Sequence, residues 1–341
     1  MSLAEVEGQD QAVGALRRAL QSGRLHHAWL FAGPDGVGKA LTAFGVAMAL
    51  LCEQPQAGDA CGTCHSCRRM AERQHPDLHI IERGTKADGR PEQAIKIEQV
   101  RTLQQALSFK SFEGRRRVVV LLEAERMNPA TANALLKTLE EPGPGTHFLV
   151  VTAAAHLLLP TILSRCQRVR FGALDRAVVA RHIAKITEKN AAESDLLAGL
   201  SEGSISKGVA LAKSTVLEQR GPWLDLLGFH QPLGAVPALL DLAEQLAGTN
   251  EELPFALHLL RTFYRDLLLA QQGFSAEAFV HRDLAALIAE RARQATQRQV
   301  LDAIDALNET EHAILNRSGN ARLFLERLLC RLAGVADESA A

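Results

Sequence analysis

No stretch of this chain approaches the roughly 20 consecutive apolar residues that cross a bilayer. The nearest, ALTAFGVAMALLC at 40–52, is too short and directly follows a glycine-rich loop. The N-terminal text MSLAEVEGQDQ lacks a basic stretch followed by an apolar run, so no secretory signal is expected. An excess of either charge is also missing: 38 Lys and Arg against 39 Asp and Glu leave a formal charge of −1. There is therefore no overall attraction to nucleic acid, and any such contact must be a local patch. No internal repeat is visible. Together these absences point to a cytoplasmic globular protein, in which six cysteines are thiols or metal ligands rather than disulfides.

What is present is enough for a sizeable core. With 341 residues and 47% apolar content, the chain is long enough for two or three domains. From residue 28 to 171, apolar strand-like runs alternate with helical patterns, which predicts a parallel sheet covered by helices. The clearest strands are AWLFAG (28–33), DLHII (77–81), RVVVLLEA (117–124) and HFLVVTA (147–153). After Phe171 the strand signals stop. Short helices are expected over 174–213, and from Trp223 onward the text is Leu- and Ala-rich with helical spacing. Breaks near Gly172 and around Gly221-Pro222 divide the chain into 1–171, 172–220 and 221–341, and the tail ADESAA reads as frayed.

The first strand runs into GPDGVGKA (33–40). This is a P-loop, in which backbone N–H groups and a lysine hold phosphates. Gly33, Gly36, Gly38 and Lys39 fit the cradle, but Ala40 stands where a Mg²⁺-binding hydroxyl belongs. The second metal position, an acid at the end of a strand, falls in VVVLLEAE (118–125). There Leu122 replaces the acid, and Glu123 follows at the water-activating position. Two losses aimed at one ion argue against Mg²⁺-dependent hydrolysis, while Lys39 leaves weak ATP or ADP binding open. Glu123 and Glu125 read equally well as polar strand-end residues. Downstream, TILSRCQRVRF (161–171) carries Arg165, which is either a surface arginine or a donor of positive charge to a neighbouring subunit's phosphoryl-transfer site.

Cys52, Cys61, Cys64 and Cys67 are spaced C-x8-C-x2-C-x2-C, which suits a closed tetrahedral S₄ zinc site with a structural role. A Cys₃His variant using His65 or His75 is a less economical alternative. Cys166 and Cys330 are isolated, and both are expected to be buried. NALLKTLEEP (133–142) follows Asn128-Pro129, an N-cap and N1 pair, and its leucines at 135, 136 and 139 form an apolar face. Arg115, Arg116 and Arg117 form the one dense basic run, read as a solvated turn in preference to a phosphate contact.

Taken together, GPDGVGK, the cysteine cluster, NALLKTLEEP and SRC resemble AAA+ clamp-loader subunits of bacterial DNA polymerase III. The likeness extends through RLHHAWLFAGPDGVGK (24–39), HPD (75–77), IKIEQVRTL (95–103) and NARLFLERLLCRL (320–332), and is thin over 221–315. It implies an AAA+/RecA-like P-loop domain with a zinc module near 52–67, then a small helical lid and an all-α collar that oligomerises. It also implies a place in a ring beside motor subunits of gamma/tau type and a delta subunit. Through that assembly the chain would meet a sliding clamp and primer-template DNA during replication. On this resemblance Arg165 acts in trans on a neighbouring ATP site, and the chain is no enzyme on its own. At the lid, where motor subunits carry an arginine after G-S-x, GSIS supplies Ser206 with Lys207 adjacent. The alternatives are an active ATPase motor subunit and a zinc-dependent nucleic-acid-binding module. Ala40, Leu122 and Ser206 speak against the first, and the P-loop and SRC against the second.

Overall fold

The computed structural model describes residues 2–23, 25–113, 116–229, 231–248, 252–316 and 320–335, which places the tail ADESAA and Arg115 outside the described residues. The chain divides into two compact units, Met1–Val178 and Val179–Ala341.

In the first unit the elements run in chain order as α1 (Asp10–Ser22), β1 (Ala28–Ala32), α2 (Lys39–Leu51), α3 (His65–Ala71), β2 (Leu78–Ile81), α4 (Ile97–Ser108), β3 (Arg117–Leu121), α5 (Pro129–Glu140), β4 (Thr146–Thr152), α6 (Pro160–Leu163) and β5 (Gln167–Arg170). The five strands form one parallel sheet in the order β2-β3-β4-β1-β5. β1 and β3 are buried along their whole length. This is why they read as unbroken apolar runs: in a parallel sheet both faces are covered. One face packs its core with Val100 and Leu103 of α4, Leu135 and Leu139 of α5 and Ile162 of α6. α2 is itself buried almost throughout.

α5 starts as its sequence predicts. Asn128 caps it by accepting from the Thr131 N–H at 2.8 Å, and Pro129 occupies the first turn. Three expectations need correction. β5 was not foreseen, because QRVR buries only Val169 and lies at the sheet edge, where an apolar run is not required. Arg117 is no solvated turn residue: it is buried at the start of β3 and donates from Nη1 to the carbonyls of Leu107 and Phe109 at 2.7 and 2.6 Å. It closes the C-terminal end of α4, satisfying carbonyls that the helix leaves open. Of the two isolated cysteines, Cys166 is buried, and burial pushes its thiol up to about 11. Cys330 is only half-buried, because it sits off the stripe of Leu325, Leu328, Leu329 and Leu332 on its helix.

The helices expected over 174–213 are α7 (Arg176–Thr187), which begins at the end of the first unit, α8 (Ala191–Leu200) and α9 (Ile205–Lys213). The second unit continues with α10 (Val216–Leu226), α11 (Val236–Gly248), α12 (Leu253–Gln271), α13 (Ala285–Gln294), α14 (Gln297–Asn316) and α15 (Ala321–Leu332). α12 packs on α13 and α14, and α11 on α15. The break expected at Gly221-Pro222 falls inside α10, which runs through it. Pro222 forgoes one helix hydrogen bond, but burial of Val216, Trp223 and Leu224 holds the segment helical.

Candidate functional site

The P-loop leaves the C-terminal end of β1 and enters α2, so its amides sit at a helix N-terminus. Gly36 and Gly38 have φ of 70° and 97°, left-handed values that glycine adopts freely. Gly33 is required for a different reason: a Cβ there would lie 2.2 Å from the carbonyl oxygen of Phe171. Gly33→Ala is therefore expected to lose about 1–3 kcal/mol of stability, as overpacked sites do. A lower thermal midpoint would show it, and an unchanged one would mean that the Phe171 segment can yield.

Lys39 is only 4% exposed. Its amine donates to the Pro34 carbonyl and lies 3.7 Å from Asp35 Oδ1. Burial lowers its pKa, against the opposing fields of Asp35 and Glu125. The lysine of the P-loop motif is thus turned onto its own loop. Ala40 offers no hydroxyl, and at the end of β3 Leu122 offers no oxygen.

The neighbouring acids both have partners. Glu123, at φ 48°, takes Arg83 Nε and Nη2 on its two oxygens, each at 2.6 Å. Glu125 accepts from the Thr152 hydroxyl at 2.7 Å and the Ala153 N–H at 3.2 Å. Since the Gly33 N–H reaches the Thr152 carbonyl at 3.4 Å, Glu125 stands beside the entry to the P-loop. Arg83 and Thr152 are missing from the sequence reading. The available signal was positional, because in parallel sheets the polar residue at a strand's carboxyl end faces the ligand side. Gln9 was missed as well. It is buried and donates to the carbonyls of Val37 at 3.2 Å and Gly172 at 2.8 Å, tying the P-loop to the segment after β5. Ser206 lies in the first turn of α9, behind its N-cap Ser204, and Lys207 pairs with Glu202 at 2.7 Å.

Arg165 is at the other end of the sheet. β5 begins at Gln167 level with Trp29, so Arg165 lies near the start of β1, whereas the P-loop leaves its end. The five residues of β1 separate those levels, about 17 Å at the rise of extended chain, which is beyond the reach of an arginine side chain. Arg165 is one-third exposed. It donates from Nη1 to the Thr161 carbonyl at 2.8 Å and the Ser164 hydroxyl at 3.3 Å, and pairs through Nη2 with Glu140 at 2.5 Å.

Among the described residues, the four sulfurs of Cys52, Cys61, Cys64 and Cys67 form the one group placed to hold a metal, all within 4.8 Å of one another. Three of their separations are 3.5, 3.9 and 3.9 Å. Zinc–sulfur bonds of about 2.3 Å in a tetrahedron require sulfurs about 3.8 Å apart, so the residues present fit zinc. N–H groups of Cys61, Cys64 and Cys67 point at the sulfurs of Cys52, Cys61 and Cys64 at 3.3–3.4 Å. The N–H groups of Thr63 and Cys64 hold the Cys61 thiol down to about 6, while burial pushes Cys52 and Cys67 up. A divalent cation reverses that resistance by binding thiolates. The Cys₃His alternative is not what the geometry brings together. His65 is exposed, and buried His75 faces Ser66 Oγ and Glu113, each at 3.4 Å. Asp77 of the same HPD motif accepts from the N–H groups of Phe112 and Glu113 at 2.8 and 3.0 Å, a structural fastening.

The loop before Cys61 is also tied down. Asp59 accepts from Ser2 Oγ, the N–H groups of Leu3 and Ala4, and Arg17 Nη2, at 2.8–3.2 Å. Burial would raise its pKa, but the Ser2 hydroxyl, the Ala60 and Leu3 amides and Arg17 outweigh that and lower it. Cys52 closes the end of α2 and Lys39 opens it. The thirteen residues of α2 hold the two ends about 20 Å apart, so the sulfurs take no part in chemistry at the P-loop.

Comparison with known proteins agrees with this arrangement. Residues 8–175 match the family model described as "DNA polymerase III, delta subunit", and residues 235–334 match "DNA polymerase III, delta subunit, C terminal". DNA polymerase III subunit delta' of Bacillus subtilis is 30% identical over 334 residues, covering 96% of both chains. The delta' subunit of Pseudomonas aeruginosa is 33% identical over 314 residues, 91% of this chain and 92% of that one. The tau/gamma subunit of Haemophilus influenzae is 34% identical, but over 63% of this chain and 31% of its own length. No helix among the described residues is long and apolar enough to cross a membrane. With its P-loop domain, its helical C-terminal part and full-length likeness to delta' subunits, the chain belongs to the delta-prime family of DNA polymerase III clamp-loader subunits.

Proposed function

We propose that this chain is a non-hydrolysing clamp-loader subunit that lends Arg165 to the ATP site of a neighbouring motor subunit of gamma/tau type. It would act with a delta subunit while a sliding clamp is placed on primer-template DNA. The observation that carries this reading is the placement of Arg165: it stands at the end of the sheet remote from its own P-loop, so whatever phosphate it serves belongs to another chain. The chain's own cradle is short of both Mg²⁺ ligands, at Ala40 and Leu122, and its Glu123 is occupied by Arg83. Gly33, Gly36, Gly38 and Lys39 would then bind ATP or ADP weakly at most. Cys52, Cys61, Cys64 and Cys67 would hold a structural zinc. The first domain spans 1–171, a helical lid 172–220 and an oligomerising collar 221–341, with α10 crossing the last junction.

The second reading is an active ATPase motor subunit, favoured by likeness to tau/gamma subunits over 63% and 75% of this chain. The two separate on the isolated chain. Its ATP turnover is expected to stay at the level of a buffer blank, and Lys39→Ala to change nothing. Robust turnover abolished by Lys39→Ala would defeat the proposal.

A further inference from the structure

α5 ends at Glu140, above its buried Leu135 and Leu139. The turn that carries Arg165 is fastened on both sides by buried residues, Ile162 before it and Cys166 after it. Between these anchors the guanidinium makes three contacts with its own chain, to Thr161 O, Ser164 Oγ and Glu140. Arginine has five N–H donors. Three contacts leave two, enough for a fork on two phosphate oxygens.

We propose that Glu140 is a positioning residue for Arg165, holding the guanidinium so that its remaining donors face the neighbouring subunit. This rests on the trans-acting reading of Arg165. Of the three contacts, Glu140 is the one that brings an opposite charge and that comes from a different helix, so it sets both the neutralisation and the direction of the side chain. Thr161 and Ser164 are within four residues of Arg165 and hold it only to its own turn. Because the Arg165 and Glu140 side chains are 33% and 47% exposed, solvent screens the pair and its worth is limited to about fivefold in a rate. The loss falls on kcat, since an arginine acting on the transferred phosphoryl group serves the transition state and leaves ground-state ATP binding unaltered.

The test is steady-state ATP hydrolysis by the complete assembly with clamp and primed DNA. It compares the unsubstituted chain with Glu140→Gln, Glu140→Asp, Glu140→Ala, Arg165→Ala and the Arg165→Ala/Glu140→Ala pair, with assembly checked by size exclusion. Glu140→Gln and Glu140→Ala are expected to slow the site that Arg165 serves about two- to fivefold, so that total kcat falls by part of the drop seen with Arg165→Ala and the KM for ATP is unchanged. Glu140→Asp should retain more activity, and Glu140→Ala should add nothing to Arg165→Ala. Full activity of Glu140→Ala beside a crippled Arg165→Ala overturns the inference and leaves the trans-acting reading standing. A raised kcat would make Glu140 a latch that parks the arginine, which also overturns it. An Arg165→Ala chain with full activity would defeat the trans-acting reading and this inference with it.

Discussion

If Arg165 acts in trans as proposed, replacing it by alanine in the complete assembly is expected to abolish hydrolysis at the motor site that it serves. Arginines supplied in trans to phosphoryl transfer are worth on the order of 10³–10⁵ in rate. The total rate should fall by that site's share, while the sites completed by other subunits continue. Arg165→Lys keeps the charge but loses the planar fork, so it is expected to behave much more like alanine than like arginine. Stability offers no competing explanation, because the side chain is one-third exposed and its ion pair is screened. Assembly should be intact by size exclusion in both variants. A rate equal to that of the unsubstituted assembly would reduce SRC to a structural turn and leave scaffolding as the role of the chain.

The parts of the molecule that were legible in its sequence are those where one physical demand dominates. The inner strands β1, β3 and β4 could be read because they carry the apolar runs that a covered parallel sheet requires, and β2 because LHII is apolar although it lies at an edge and is only partly buried. The start of α5 could be read because Asn128 and Pro129 answer the helix's unpaired N–H groups. The clustering of the four cysteines could be read because a tetrahedral site would demand that spacing, and their sulfurs do come within 4.8 Å of one another. Where demands compete, the reading fails. Gly221-Pro222 carries a strong local break signal, yet packing around Trp223 carries the helix through it. QRVR is an edge strand that buries only Val169, so no apolar run marks it.

The same distinction applies to the site. Ala40 and Leu122 were visible as departures because a fixed spacing predicts what should stand there. Arg83, Thr152 and Gln9 were not, since their roles depend on which strand ends and loops become neighbours in space. Asp35 and Glu125 show why the difference matters. Their fields partly offset the effect of burial on Lys39 from within the chain itself. A buried lysine with no nearby anion would be costly, and these two acids reduce that cost.

On the proposal that the four cysteines hold zinc, its removal is the second change with a large expected effect, and it tests a structural role for them apart from the P-loop. The purified chain is expected to carry about one zinc, as a closed S₄ site does. Cys64→Ser, or stripping with a strong chelator, should lower the thermal midpoint markedly, because metal binding energy of this kind is folding energy. The damage should spread in a defined direction. The loop between Cys52 and Cys61 carries Asp59, whose carboxylate holds Ser2, Leu3, Ala4 and Arg17. At Gly58, with φ 75°, a Cβ would lie 2.6 Å from the Arg17 carbonyl oxygen, so this loop packs closely on α1. Metal loss should therefore raise amide exchange in residues 2–6 as well as in 53–71, while β3 and β4 remain protected. Asp59→Ala should free the N-terminal residues with zinc still bound, which distinguishes the clasp from the metal. A metal-free chain with an unchanged midpoint and unchanged exchange would show that the four thiols meet without needing an ion.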